Sequence, residues 1–140
     1  MKILITGASG FIGSFIVEEA LSRGFETWAG VRTSSSREYL QDNRIHFLDL
    51  DFSSEDSMVE ALRDHEFDYI VHSAGATKCL HKEDFYRINY EGTKNFVHAI
   101  LKTQTSLKRF VYMSSLSVFG AIREKQPYLE IDENDTPRPN

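Results

Sequence analysis

Short apolar runs alternate along the chain with longer stretches in which apolar residues recur at helical spacing. The runs predict five strands, over residues 2–6, 26–31, 44–48, 68–72 and 109–114. The longer stretches predict four helices, over residues 11–23, 36–41, 54–64 and 83–103, of which the second is short. The last two strands are almost continuously apolar, which is typical of strands covered on both faces of a parallel sheet. The alternation therefore predicts an α/β fold around a parallel sheet of about five strands.

The end of the chain has a different composition. All three prolines, Pro127, Pro137 and Pro139, lie in the final 14 residues, among several acidic residues. Proline cannot donate a hydrogen bond to a strand ladder, and an acidic segment buries too little apolar surface to fold alone. We therefore predict one domain over residues 1–120 and a loop-like tail over residues 121–140.

Composition narrows the classes of partner. The 140 residues are 41% hydrophobic and 26% charged, which suits one globular core. A net charge of −5 argues against a nucleic-acid partner, and the chain has no apolar run long enough for a membrane helix. A single cysteine, Cys79, forbids an internal disulfide and suggests a reducing, cytoplasmic compartment. His72, Cys79 and His81 lack the spacing of a tetrahedral metal site, so no metal is predicted.

The first strand runs directly into a glycine-rich turn, Thr6-Gly7-Ala8-Ser9-Gly10-Phe11-Ile12-Gly13, which opens the first helix. Gly7 permits a tight turn, Gly10 lets a pyrophosphate approach the backbone amides, and Gly13 lets the helix lie close to the sheet. The helix N-terminus adds positive potential for an anion. A strand, this glycine spacing and a helix in that order predict a dinucleotide-binding site; the alternative is a glycine-rich turn that binds nothing.

Five motifs in this order resemble those of the extended short-chain dehydrogenase/reductases, a family of NAD(P)-dependent sugar-nucleotide epimerases, dehydratases and related reductases. They are the glycine turn, Phe47-Leu48-Asp49-Leu50, Ile70-Val71-His72-Ser73-Ala74-Gly75, Asn89-Tyr90-Glu91-Gly92-Thr93 and Met113-Ser114-Ser115-Leu116-Ser117-Val118-Phe119-Gly120. The resemblance covers the whole chain as the N-terminal portion of a family member, and it implies a doubly wound, Rossmann-type parallel sheet. The family's sixth strand and C-terminal substrate region have no counterpart in these residues.

The resemblance also implies which residues contact the cofactor. In the family, the end of strand three meets the adenine, the end of strand four lines the nicotinamide-side ribose, and the asparagine of the following helix supports the active site. Carried onto this chain with the glycine turn, these positions are Gly7, Ser9, Gly10, Phe11, Ile12, Gly13, Asp49, Leu50, Ser73, Ala74, Gly75, Thr77 and Asn89.

The end of the second strand is expected to choose between NAD and NADP. Proteins of this fold that prefer NAD usually place an acid there, which accepts a hydrogen bond from the ribose 2′-hydroxyl. Counted from Gly13, that position holds Val31, followed by Arg32 and, further on, Arg37. A guanidinium can stack on adenine and pair with a 2′-phosphate. We therefore predict NADP, with NAD as second choice; the alternative is that both arginines are solvated loop charges.

Ser115 is the predicted catalytic residue. The resemblance implies that its hydroxyl hydrogen-bonds the reacting hydroxyl or carbonyl of the substrate beside the cofactor. The carboxyl end of a parallel strand is also where ligands bind in folds of this class. Ser114 and Ser117 are the neighbouring alternatives, as is a serine that only caps the strand end.

Hydride transfer in the family also needs Tyr-x-x-x-Lys on the helix after strand five, where the tyrosine is the acid/base and the lysine lowers its pKa. This chain has the spacing once, at Tyr90 and Lys94, on the helix before strand five, and we interpret it as coincidental. Tyr128 has Asp132 four residues further on and cannot serve. We therefore expect the tail to lead toward the family's catalytic helix, and this chain alone to be inactive.

One face of the last two strands is expected to lack cover within this chain. Right-handed crossovers place the first two helices on one face of the sheet and the later two on the other. Apolar side chains would then be exposed at Phe67, Tyr69, Val71, Val111 or Met113. Such a patch drives association or needs a partner to cover it, and a homo-oligomer is predicted.

The resemblance implies an enzyme that transfers hydride to or from a sugar nucleotide or a similar alcohol or carbonyl substrate, of which this chain is the NAD(P)-binding portion. The alternative is a sensor or regulatory module that holds NADP without chemistry, because the fold alone does not separate the two. Ser115 at the end of strand five favours the enzyme, since a sensor does not need that hydroxyl.

Overall fold

The computed structural model describes residues 1–120 and 130–138. Five parallel strands form one sheet: Lys2–Thr6 (β1), Glu26–Val31 (β2), His46–Asp49 (β3), Tyr69–His72 (β4) and Arg109–Tyr112 (β5). Their order across the sheet is β3-β2-β1-β4-β5. The strand order reverses direction between β1 and β4, which makes this the switch point where α/β folds bind ligands. The predicted doubly wound, Rossmann-type sheet is confirmed.

The α-helices of the described residues are Phe11–Ser22 (α1), Glu55–Leu62 (α2), Lys82–Phe85 (α3) and Gly92–Thr103 (α4). A π-helical segment, Tyr86–Glu91, joins α3 to α4, and a 3₁₀ helix, Leu116–Phe119, follows β5. The helix predicted over residues 83–103 is therefore one continuous run with a wide turn inside it. Wide turns of this kind frequently lie at functional sites.

The strands alternate their side chains between two cores. Ile3 and Ile5 of β1 point toward α1, whereas Leu4 points toward α2 and α4. Because successive strand residues face opposite sides of a sheet, a strand buried on both faces is apolar throughout. This is the reason for the continuous apolar run at β1. The helices that form lie on the predicted faces, α1 on one side and α2 and α4 on the other.

The helix predicted over residues 36–41 does not form. The Ser35 hydroxyl accepts a hydrogen bond from the Arg32 amide at 3.2 Å, and the Ser36 hydroxyl accepts one from the Glu38 amide at 3.2 Å. Serine side chains that bond nearby backbone groups in this way compete with helical hydrogen bonds. The segment forms turns instead, and they carry Leu40 into the core on the α1 side.

The exposed face predicted beside β4 and β5 is present in part. Val111 is 40% exposed and Met113 38% exposed, while Tyr69 and Val71 are half-buried. The prediction was wrong for Phe67, which is 1% exposed. Phe67 precedes β4 and turns to the opposite face, where its ring meets that of Trp28 edge-on at 6.0 Å.

Residues 130–138 contain no helix or strand, and the division into a domain and a tail stays a prediction. The Arg138 amide donates to the Val118 carbonyl at 2.6 Å, which places this part of the tail beside the 3₁₀ helix. The rest of the predicted tail, residues 121–129 and 139–140, lies outside the described residues.

Candidate functional site

The glycine turn joins β1 to the N-terminal end of α1. Gly7 has a φ of +67°, a left-handed conformation that costs glycine nothing. The Gly10 amide donates to the Gly7 carbonyl at 2.9 Å and closes the turn. The first turn of α1 carries no acidic residue, so no carboxylate competes with an anion for the positive end of its dipole.

The glycines are required where backbone meets backbone. A Cβ on Gly13 would lie 2.1 Å from the Gly7 carbonyl oxygen, and a Cβ on Gly7 would lie 2.7 Å from the Ala74 nitrogen. Neither approach is sterically possible, so only glycine lets α1 and the segment after β4 close on the turn. A Cβ on Gly10 would lie 3.2 Å from the Gly7 oxygen. The result is a cradle of backbone groups packed directly against α1 and the segment after β4.

The segment after β4 forms a second wall beside this turn. The Ser73 hydroxyl donates to the Thr6 carbonyl at 2.7 Å. Asn89, in the π-helical segment, accepts from the Ala76 amide at 2.7 Å and donates to the Ala76 carbonyl at 3.0 Å. A Cβ on Gly75 would lie 3.2 Å from the Asn89 Oδ1 atom, so glycine keeps room for this contact. The π-helical segment thus holds the wall through one amide side chain.

These segments enclose a cleft of about 490 Å³ at the carboxyl ends of the strands. Its size is within the range of ligand sites. The predicted cofactor-binding residues that line it are Gly7, Ser9, Gly10, Arg32, Ser73, Ala74 and Gly75. The others do not belong to its described lining: Phe11, Ile12, Gly13, Arg37, Asp49, Leu50, Thr77 and Asn89.

The two predicted arginines lie in different places. Arg32 lines the cleft together with Ser35. The Arg37 guanidinium instead lies over the Phe47 ring, 4.2 Å from its centre, in a cation–π contact. Only Arg32 is therefore placed at the cleft.

Asp49 and Leu50, the pair predicted to contact the adenine at the end of β3, lie in different environments. The Leu50 side chain is buried in the core between the sheet and α2, and its amide donates to the Val31 carbonyl at 2.9 Å. Asp49 is exposed and pairs in register with Val31. Asp51, which was not predicted, lines the cleft instead. Hydrogen bonds from the Ser53 hydroxyl, at 2.6 Å, and the Ser53 amide, at 3.0 Å, lower the pKa of Asp51.

Other lining residues were not among the predicted cofactor-binding residues. They are Gly30, Val31, Ser35, Phe52, Ser53, His72, Ala76, Arg87, Ile88 and Gly92. Most directly follow or flank a predicted strand end, which is the signal that could have identified them. Arg87 and Ile88 come from the π-helical segment, whose orientation depends on tertiary packing.

His72 lies at the end of β4 beneath the cleft and is 1% exposed. Four aromatic rings surround its imidazole, those of Phe52, Phe96, Phe110 and Tyr112. Burial lowers the pKa of His72 to about 4, so the imidazole is neutral at physiological pH.

Ser115 is exposed on the loop that leaves β5. It caps the 3₁₀ helix: its Oγ accepts from the Ser117 amide at 3.2 Å and from the Ser117 hydroxyl at 2.9 Å. Because both bonds are accepted, the hydroxyl hydrogen of Ser115 is not consumed by either of them. Ser115 is not part of the described cleft lining. The main chain there is tied to β4 by the Met113 amide, which donates to the His72 carbonyl at 2.9 Å.

Tyr90 and Lys94 line a separate groove of about 340 Å³ between α4 and the edge of β5. Tyr112 and His98 contribute to the same groove. The Tyr90 ring also stacks on the Tyr86 ring, with centres 4.8 Å apart. Neither Tyr90 nor Lys94 belongs to the described lining of the cleft beside the glycine turn.

The fold and this cleft define a Rossmann-type α/β protein with a glycine turn at its switch point. The chain belongs to the NAD dependent epimerase/dehydratase family, whose model matches residues 3–140. The resemblance to the extended short-chain dehydrogenase/reductases is therefore confirmed.

Individual relatives agree with this assignment. The chain is 31% identical to a UDP-glucose 4-epimerase of Klebsiella pneumoniae over 141 residues, which cover 93% of this chain and 99% of that protein. Two solved structures have TM-scores of 0.79 and 27% identity: the Thermus thermophilus UDP-glucose 4-epimerase in complex with NAD, and the Bordetella bronchiseptica enzyme WbmH in complex with NAD⁺. Each alignment covers 99% of this chain but only 45% and 46% of the respective solved chain. The chain thus spans less than half the length of these two solved relatives.

In the part of the chain that the structure describes, no helix combines the length and the apolar character needed to span a bilayer.

Proposed function

We propose that this chain is the NAD(P)-binding part of an epimerase, dehydratase or reductase that transfers hydride to or from a sugar nucleotide or a similar alcohol or carbonyl substrate. The observation that carries the proposal is the backbone cradle formed by Gly7, Gly10 and Gly13 beside the cleft at the switch point of the sheet. The family assignment and the UDP-glucose 4-epimerases among the relatives support the substrate class.

The cradle fits a dinucleotide. Its backbone amides and the first turn of α1, which carries no acidic residue, offer positive potential that suits a pyrophosphate. Ser73 and Ala74 form the wall that would face the nicotinamide-side ribose, and the Asn89 contacts with Ala76 hold this wall in place.

Arg32 supports NADP as the preferred cofactor. It lies at the cleft end formed by β2, where Val31 stands in the position usually taken by an acid that binds the 2′-hydroxyl. A guanidinium there can pair with a 2′-phosphate. The similar structures with NAD bound keep NAD as the second candidate.

Ser115 is proposed as the group that holds the reacting oxygen of the substrate. Ser117 donates both of its hydrogen bonds to the Ser115 Oγ atom, so the Ser115 hydrogen can point toward a substrate carbonyl or hydroxyl. A bound nicotinamide would supply the hydride exchange. Tyr90 is not proposed as the acid/base that completes the reaction, because Tyr90 and Lys94 line the separate groove between α4 and β5. We therefore propose that this chain binds the dinucleotide but does not turn over substrate by itself.

The cytoplasmic location predicted from Cys79 and the absence of a nucleic-acid partner predicted from the net charge remain predictions.

Calorimetric titration of the chain with NADP and with NAD tests the proposal. We expect NADP to bind more tightly, and Arg32→Ala to reduce its affinity about tenfold while hardly changing that of NAD. Arg37→Ala is the matched control, because its guanidinium already stacks on Phe47 away from the cleft, and it should leave both affinities unchanged.

If NAD binds more tightly than NADP, or if Arg37→Ala lowers the affinity for NADP as much as Arg32→Ala does, the role of Arg32 is wrong but the proposed function stands. Binding of neither dinucleotide by a folded chain would overturn the proposed function.

A further inference from the structure

His72 uses both of its ring nitrogens. The Nδ1 atom lies 2.7 Å from the Thr6 hydroxyl, at the end of β1, and the Nε2 atom lies 3.0 Å from the Thr93 hydroxyl, in α4. The imidazole therefore bridges the strand that leads into the glycine turn and the helix that follows the π-helical segment. The four aromatic rings named above also surround it; Tyr112 is the one titratable group among these rings, and none of them is charged.

One neutral tautomer accommodates both contacts together with the other hydrogen bond of the Thr6 hydroxyl. The Thr6 Oγ1 atom accepts from the Ala74 amide at 3.4 Å, which leaves its own hydrogen for Nδ1, and Nε2–H then donates to the Thr93 hydroxyl. In this arrangement the imidazole carries its proton on Nε2 and is neutral.

Thr6 connects His72 to the cofactor cleft. Its Oγ1 atom accepts from the Ala74 amide at 3.4 Å, and its carbonyl accepts from the Ser73 hydroxyl at 2.7 Å. Thr6 directly precedes Gly7, whose missing Cβ lets the Ala74 backbone approach. The rotamer and hydrogen bonding of Thr6 therefore set the separation between the glycine turn and the wall after β4.

We propose that His72, through its paired hydrogen bonds to Thr6 and Thr93, is a positioning residue that holds the glycine turn and the Ser73–Ala74 wall at the separation that a dinucleotide requires. This role rests on the proposed function. The proposal gives Thr93 the same positioning role, although Thr93 itself is not part of the described cleft lining.

Thr93→Val tests the bridge because valine keeps the shape of threonine and removes the hydroxyl that accepts from Nε2–H. We expect the affinity for NADP to fall about threefold to tenfold, the usual effect of one lost hydrogen bond. Thr93→Ser restores the hydroxyl and should restore the affinity. Thr103→Val is the matched control: Thr103 lies at the far end of the same helix, where its hydroxyl donates to the Ala99 carbonyl, and its loss should leave the affinity unchanged.

His72→Phe completes the test, since it keeps an aromatic ring and removes both hydrogen bonds. Because Thr93 acts through His72, adding Thr93→Val to His72→Phe should cause no further loss of affinity. Side-chain ¹⁵N NMR of the parent chain should show the neutral Nε2–H tautomer for His72, and Thr93→Val should change the Nε2 shift. Circular dichroism checks that each variant is folded.

The possible failures differ. If the parent chain binds NADP or NAD but Thr93→Val and His72→Phe bind equally well, the positioning role is wrong and the proposed function stands. A charged imidazole or an Nδ1–H tautomer also overturns the inference. If the folded parent chain binds neither dinucleotide, the proposed function fails, and the positioning role fails with it.

Discussion

A neutral imidazole at position 72 makes the stability of this fold depend on pH. Burial lowers the pKa of His72 in the folded state to about 4, while an unfolded histidine keeps a pKa of about 6.5. Between these values the unfolded chain binds more protons, so acid favours unfolding. The stabilising contribution is complete above about pH 6.5 and is lost as the pH falls toward about 4.

We expect the free energy of unfolding to fall by about 2 kcal/mol between about pH 7.5 and about pH 5 through His72 alone. Urea unfolding of the parent chain and of His72→Phe at both pH values isolates this term. Burial, followed by the Lys2 charge, also lowers the pKa of His65, and that contribution remains in both proteins. Equal pH slopes in the two proteins would show that His72 is not the titrating group.

At the scale of single residues, the required backbone conformations could be predicted from the sequence, whereas the directions of the side chains could not. The turn at Gly7 and the clearance at Gly13 follow from local geometry, which the spacing of the glycines encodes. Whether Arg37 faces the cleft depends on a contact with Phe47, ten residues away in sequence. Leu50 follows Asp49 in the family motif, but its side chain belongs to the core.

Elements are joined in this fold by a few buried polar side chains. Gln104, just after α4, accepts from the Phe67 amide at 3.0 Å and donates to the Leu62 carbonyl at 3.2 Å and the His65 carbonyl at 2.8 Å. It satisfies backbone groups between the end of α2 and the start of β4, which no strand or helix ladder reaches.

Gln104→Leu keeps the approximate size of the side chain but leaves the Phe67 amide and the His65 carbonyl without this partner. We expect it to lower the free energy of unfolding by about 2–3 kcal/mol, because buried polar groups left unpaired are costly. Gln41→Leu is the control, since Gln41 is exposed and donates only to the Arg37 carbonyl; it should change stability by less than about 0.5 kcal/mol. Chemical denaturation measures both, and equal effects would contradict the bridging role of Gln104.

The boundaries of most elements could be predicted because apolar periodicity and caps are local. Ser54 caps α2 by accepting from the Ser57 amide at 3.2 Å, and the helix begins at the next residue. The helix predicted over residues 36–41 does not form because the serine hydroxyls accept hydrogen bonds from nearby backbone amides. The π-helical turn was not predictable either. It occurs together with the two hydrogen bonds between Asn89 and Ala76, which lie 13 residues apart in the sequence.

At the scale of the whole molecule, topology follows from the alternation of strands and helices with right-handed crossovers. These rules alone bring the glycine turn, the end of β3 and the end of β4 to one edge of the sheet. The cleft could therefore be located from the sequence, although only part of its lining could. The same rules leave the β4–β5 surface on the α1 side without a covering helix among the described residues.

That surface is where we expect the chain to associate. Val111 and Val71 pair in register on adjacent strands, and Val111 is 40% exposed. An apolar strand surface in contact with water favours burial against a second copy in a solution of pure chain. We expect sedimentation to show species larger than a monomer, and Val111→Lys to shift them toward the monomer because a lysine in the contact must be desolvated.

Leu101→Lys is the matched control: Leu101 is exposed on α4, so its substitution should leave the distribution unchanged. A parent chain that sediments as a monomer and binds no apolar dye would contradict this expectation. Equal shifts in both variants would mean instead that added charge, and not this surface, controls association.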